Sequence, residues 1–198
     1  MPIPFFKSWF RSNKIHDESK FILLNSKEHV ASGVFFTNGT HMLAGYQPKK
    51  QTPRITGIGG MKAENETLVD TAIRECLEEL FNSGLLPSKL VPDIIKQIQP
   101  KDCYMNGKYG VVVYSFSDLE TILNIVKKYN LPSNLYRKLP NKLPRTLKEL
   151  VFEREYDPTA EIVSLSILPI EMYSMKHYIL HKELIMDMKS FLERKSNK

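Results

Sequence analysis

At 198 residues the chain has the length of one domain, and its 42% hydrophobic and 25% charged residues are the composition of a folded one. Wholesale disorder is excluded, as is a membrane-spanning helix, because no apolar run approaches the ~20 residues that cross a bilayer. Lys and Arg number 28 against 22 Asp and Glu, a net charge of +6 that favours polyanionic partners and is silent about fold.

Two cysteines, Cys76 and Cys103, make neither a disulfide framework nor a zinc site by themselves. The first residues lack the long apolar stretch of a secretory signal. A reducing, cytoplasmic setting is the expectation.

Residues 1–30 form an N-terminal arm without clear period, in which Phe5, Phe6, Trp9 and Phe10 cluster near Lys7 and Arg11. Residues 31–198 are read as the domain proper. Runs 33–37 and 41–46 are β-rich and flank Asn38-Gly39, a hairpin signal because both residues tolerate positive φ. Residues 48–66 read as a loop closing on Thr56-Gly-Ile-Gly-Gly-Met-Lys62.

The apolar spacing Val69, Ile73, Cys76, Leu77 and Leu80 predicts a helix over 67–82, with Gly84 supplying a left-handed stop. Residues 87–100 fit no single element, and 110–116 predict a buried strand. Residues 117–150 form a basic, mainly helical insert capped by Ser117-Asp118, carrying seven cations against three acids. A strand over 161–168 and an amphipathic helix over 173–194 complete the chain.

The informative stretch is 60–82. At about 100° per residue, Glu78 and Glu79 fall within about 60° of Glu75 on either side, so three carboxylates share one helix face. Adjacent acids repel, and the arrangement makes sense if divalent cations sit there. Oxygen-only ligands suit Mg²⁺ or Mn²⁺ rather than zinc. Gly57, Gly59 and Gly60 let the backbone approach a metal or phosphate chain, and Gly57, Gly60 and Lys62 are read as a substrate loop. Glu66 lies two turns before Arg74 and is placed to pair with it as a clamp of loop to helix.

The order of Gly60, Glu66, Arg74-Glu75 and Glu78-Glu79 resembles the Nudix box of the Nudix hydrolases. The resemblance implies an α/β fold, an α/β/α sandwich around a mixed sheet. It implies Mg²⁺- or Mn²⁺-dependent hydrolysis of a nucleoside diphosphate linked to another moiety. By position in that motif, Glu75, Glu78 and Glu79 would be metal ligands with the carbonyl of Gly59. Catalytic roles fall to Glu75, Glu78 and a later acid; Glu161 is chosen, with Glu153 and Glu155 as rivals. Three residues depart from the family's pattern: Phe81 replaces Gly, Asn82 an aliphatic residue, and Ile58 a proline.

Three functions follow. The first is a pyrophosphohydrolase of small nucleotides. The second is hydrolysis of capped RNA, with Lys127, Lys128, Arg137, Lys138, Lys142 and Arg145 as phosphate contacts. The third is a binding module without turnover. His177 and His181, four residues apart, have metal-compatible spacing but are too few for a site. Cys103 could be exposed, and Tyr104, Tyr109 and Phe116 could stack on a base.

Overall fold

The computed structural model describes residues 18–48, 53–131, 133–174 and 179–196. The aromatic cluster of the first eleven residues, and Met175, His177 and Tyr178 of the tail, lie outside them.

Seven strands form one mixed sheet with helices on both faces. After a helix at 18–24 (α1), β1 (Ala31–Thr37) and β2 (His41–Gln47) flank the turn at Gly39, whose φ is 94°. The two strands pair only at the tip, Thr37 opposite Met42, and then diverge. A second hairpin fills the gap: β3 (Arg54–Thr56) pairs with β2, and β4 (Ile58–Met61) pairs antiparallel with β1. The expected loop at 56–62 is therefore largely strand.

Beyond β1, β6 (Tyr109–Ser115) runs parallel to it and is joined by β5 (Asp102–Asn106), while β7 (Ser164–Pro169) lies antiparallel to β2. The strand expected from residue 161 starts at Ser164, so Glu161 lies in the bend before it.

Both sheet faces are buried, and alternation along the central strands serves two cores. Val34, Phe36, Val112 and Tyr114 face α2 (Leu68–Phe81), α3 (Leu90–Gln97), α4 (Phe116–Lys128) and α5 (Leu147–Phe152). Phe35, Val111 and Val113 face α6 (Lys182–Ser196), through Leu184 and Met188. This is an α/β/α sandwich.

Several local expectations are corrected. The cap of α4 is Ser115, with Asp118 completing a capping box three residues in. The 117–150 stretch contributes Leu131, Leu135, Tyr136, Leu143 and Leu150 to the core. The tail helix begins only at Lys182, since Ile179–His181 pairs with β3: the Ile55 amide donates to the Ile179 carbonyl and the His181 amide to the Ile55 carbonyl, each at 2.8 Å. An edge strand needing partners there overrides the helical period. Cys103 is buried, its thiol 3.6 Å from the Lys20 carbonyl. Tyr104 is buried and donates to the Asp187 carbonyl at 3.0 Å, and Phe116 begins α4, partly buried against the core.

Candidate active site

The site is built on α2 and β4. Thr67 caps α2 with Asp70 in a reciprocal box, fixing where the helix starts and therefore which way its acids point. Asn82, not Gly84, takes the left-handed stop, at φ 50° and ψ 45°. An Asn tolerates that conformation because its short side chain bonds locally. Phe81 is fully buried with its ring 6.2 Å from that of Tyr136, so the residue that departs from the family pattern has a packing role.

The helix carries no basic residue in its last turn; Arg154, from beyond α5, supplies one. Its guanidinium donates to the carbonyls of Leu80 (2.6 Å) and Glu79 (2.9 Å), to that of Ile162 (2.7 Å), and to the Tyr136 hydroxyl (3.0 Å). A cation on the final carbonyls favours the helix dipole. The same group ties the end of α2 to the residue following Glu161.

The three acids of α2 do not share one environment. Glu79 is 8% exposed and accepts a 2.8 Å hydrogen bond from the Gly59 amide, locking helix to strand. Burial pushes its carboxyl well above the usual range, and the charges of Glu161 and Glu75 push the same way against the Gly59 bond. Glu75 is also raised, first by burial and then by Glu78 and Glu66, with Arg74 opposing. Glu78 is the outermost, its side chain 32% exposed.

Arg74 is the hub of these charges. Its Nε and Nη2 grip Glu66 at 2.6 and 3.0 Å, while Nη1 reaches Glu75 at 2.8 Å and Glu78 at 2.9 Å. Nη2 also donates to the Met61 carbonyl at 2.7 Å, so helix, β4 and the 62–67 turn are drawn together. Burial alone would raise Glu66; its bonds from Arg74, the Ala63 amide and Thr71 outweigh that and hold it below the usual range. Thr71 in turn bonds His29 at 2.9 Å, so the described end of the arm joins the same network.

The glycines have reasons of their own. A Cβ on Gly60 would collide with the Glu75 carboxylate, and one on Gly59 with the backbone of Gly33. Both serve close packing of strand against acid and strand against strand. Gly57 has no such need, since its nearest contacts would be an ordinary 3.9 Å. Lys62 turns away from the site; its ammonium bonds the Lys27 carbonyl and its amide the Val30 carbonyl. Its expected place in a substrate loop is thereby corrected.

Glu161 arrives from the other side. Gln47 Nε2 donates to its Oε1 at 3.0 Å. Two cavities meet at Glu75 and Glu161, which line both. The smaller, about 290 Å³, adds Glu78, Glu79, Asn82, Ser83 and Thr159. The larger, about 590 Å³, adds Gln47, Arg54, Gly59, Lys108, Tyr109 and His181. The rivals of Glu161 are elsewhere: Glu155 holds Arg137 at 3.1 Å and the Lys138 amide, and both it and Glu153 line a separate hollow.

Lys127, Lys128, Arg137, Lys138, Lys142 and Arg145 line neither of the two cavities. Lys127 and Lys128 close the last turn of α4, and Arg137 is already paired. Sequence reasoning missed Gln47, Arg54, Lys108, Arg154 and the contribution of His181 to the wall. None sits in a local pattern; each reaches the site through strand pairing or a long-range bond.

Four carboxylates with one backbone carbonyl nearby are a donor set for a hard dication. Among the described residues no three of them converge on one point; Glu75 and Glu78 are turned onto Arg74 and Glu79 onto the Gly59 amide. The repulsion that Glu75 and Glu161 exert on the buried Glu79 fits a cation's presence, while Arg74 serves as counter-charge to Glu75 and Glu78.

No helix among the described residues is long and apolar enough to cross a membrane. No family model and no curated protein matches the sequence. Among solved structures the chain is similar to a Nudix hydrolase from Nitrosomonas europaea, at 14% identity over 85% of this chain and 90% of that one, with a TM-score of 0.43. It is similar to the M. smegmatis Nudix hydrolase RenU, at 13% identity over 86% and 87%, TM-score 0.46. A third is a bifunctional NMN adenylyltransferase/ADP ribose pyrophosphatase from Francisella tularensis complexed with AMP and a Mn ion. There the identity is 17% over 58% of this chain and 36% of that one, TM-score 0.32.

Proposed function

We propose that the chain is a Nudix-type, Mg²⁺- or Mn²⁺-dependent pyrophosphohydrolase that cleaves the diphosphate linkage of a nucleoside diphosphate joined to another moiety. The observation that carries this reading is the junction at Glu75 and Glu161. There Glu75 of a capped helix and an acid from before β7 line the same two cavities, one holding Glu78 and Glu79 as well and the other walled by Gly59 and Gly60.

Glu75, Glu78, Glu79 and the Gly59 carbonyl would hold the dication, which when bound neutralises non-bridging phosphate oxygens and lowers the pKa of water. The chain's own residues do the positioning. The Gly59 amide fixes Glu79, Arg74 orients Glu75 and Glu78 and is fixed itself by Glu66, and Gln47 aims Glu161 into the junction. Glu161 or Glu75 is then placed to orient or deprotonate the attacking water. Attack at phosphorus breaks the anhydride P–O bond and leaves two phosphorylated products.

The test is incubation of the full chain with Mg²⁺ or Mn²⁺ and a panel of nucleoside triphosphates, dinucleoside polyphosphates, nucleotide sugars and capped RNA, with product identification. The expectation is anhydride cleavage, lost by orders of magnitude in Glu78→Gln while the fold survives. Unchanged turnover in that variant would remove Glu78 as a ligand. Capped RNA is the weaker substrate reading, since the six cations proposed to grip it lie outside both cavities. A panel without any hydrolysis would leave a nucleotide-binding module.

A further inference from the structure

We infer that the larger cavity receives a phosphate group lying beyond the scissile linkage, with Arg54 and Lys108 as its counter-charges. The preferred substrate is then one whose departing part is itself phosphorylated, not a nucleotide sugar. This deepens the pyrophosphohydrolase reading and rests on it.

Three observations converge. Arg54 lines the cavity, and its Nε is buried without a hydrogen-bond partner among the described residues. A guanidinium donor withdrawn from water is normally satisfied, so an orphaned one in a cavity wall points to an acceptor that arrives from outside. Its place is set by the sheet: Arg54 is the direct cross-strand partner of Gln47, whose amide holds Glu161. The cation therefore stands one strand away from the acidic junction.

The two cavities also differ in charge. The larger sets Arg54 and Lys108 against three acids, Glu75, Glu161 and Glu183, whereas the smaller gathers four, Glu75, Glu78, Glu79 and Glu161, with no Lys or Arg. A polyanion straddling the junction is accommodated best with its additional phosphate toward Arg54, whose planar fork matches phosphate oxygens.

The experiment compares a nucleoside triphosphate with a nucleotide sugar of the same base, for the wild type, Arg54→Gln and Arg54→Lys. The wild type should favour the triphosphate by about tenfold or more in kcat/KM. Arg54→Gln should raise KM for the triphosphate at least about ten times more than for the sugar, with kcat little changed and Arg54→Lys recovering part of the loss. A wild-type preference for the sugar, or equal losses on both substrates, would overturn the inference. Calorimetric binding of inorganic pyrophosphate without metal separates the two levels. Binding by Glu78→Gln that disappears in Glu78→Gln/Arg54→Gln supports the phosphate site even if neither substrate is hydrolysed; absence of binding by Glu78→Gln refutes it.

Discussion

Replacing Arg74 by glutamine removes the cation that sits among three carboxylates. In the wild type its guanidinium makes two bonds to Glu66 and one each to Glu75 and Glu78, all between 2.6 and 3.0 Å, from a side chain only 20% exposed. Exposed ion pairs contribute little, but breaking a buried one costs about 3–5 kcal/mol because the abandoned charge stays in place. This hub is partly solvated, so the low end, about 3 kcal/mol, is appropriate. For a chain of this size each kcal/mol moves the melting temperature by about 2–4 °C, giving a fall of about 6–12 °C in metal-free buffer. A dication offers the acids another counter-charge and, at a hundred times its Kd, stabilises by about 2.7 kcal/mol, so Mg²⁺ should close much of the deficit. Thermal melts with chelator and with excess Mg²⁺ measure both numbers. A fall under about 2 °C with chelator, or a deficit that Mg²⁺ leaves intact, would refute the picture of Arg74 as the counter-ion of a metal site.

Other perturbations read other parts of the molecule. Arg154→Gln cuts the bonds to the Glu79, Leu80 and Ile162 carbonyls and should destabilise by about 3 kcal/mol in urea unfolding. It should also raise the Mn²⁺ concentration needed for half-maximal turnover; a variant that only lost stability would show Arg154 to be structural alone. Asp187 is buried, and that burial, with Glu183 adding to it against the Asn106 bond, lifts its carboxyl from 3.8 to about 7. The folded state then holds a proton that the unfolded chain releases, so stability falls as pH rises from about 4 to about 7. A shift of that size corresponds to about 4 kcal/mol at most. Asp187→Asn keeps an acceptor for Asn106 and should flatten the profile, gaining most over wild type at pH 8; parallel profiles would show that Asp187 does not carry the effect.

Much of the site was legible before any coordinates. Glu75, Glu78 and Glu79 share a helix face by periodicity, and the apolar stripe from Val69 to Leu80 sets which face is left for them. The Glu66–Arg74 spacing foretold which groups meet, because eight residues across a turn and a helix leave little freedom. What local pattern could not show is how differently the three acids are treated. Glu79 is buried because β4 packs against α2, and β4 is a strand only because β1 and β2 splay apart and leave room for it. A run of glycines between polar residues reads as a loop when its partners are unknown.

The chain's own order of residues was therefore enough to place an acidic helix after a glycine-rich approach, since both follow from short-range geometry. Only the folded sheet decided that Glu161 rather than Glu155 faces that helix, that Arg154 steadies it, and that Arg54 and Lys108 line the cavity beyond. These pairings join residues tens to more than a hundred positions apart. They are set by which strands hydrogen-bond side by side, a property that no window of sequence contains.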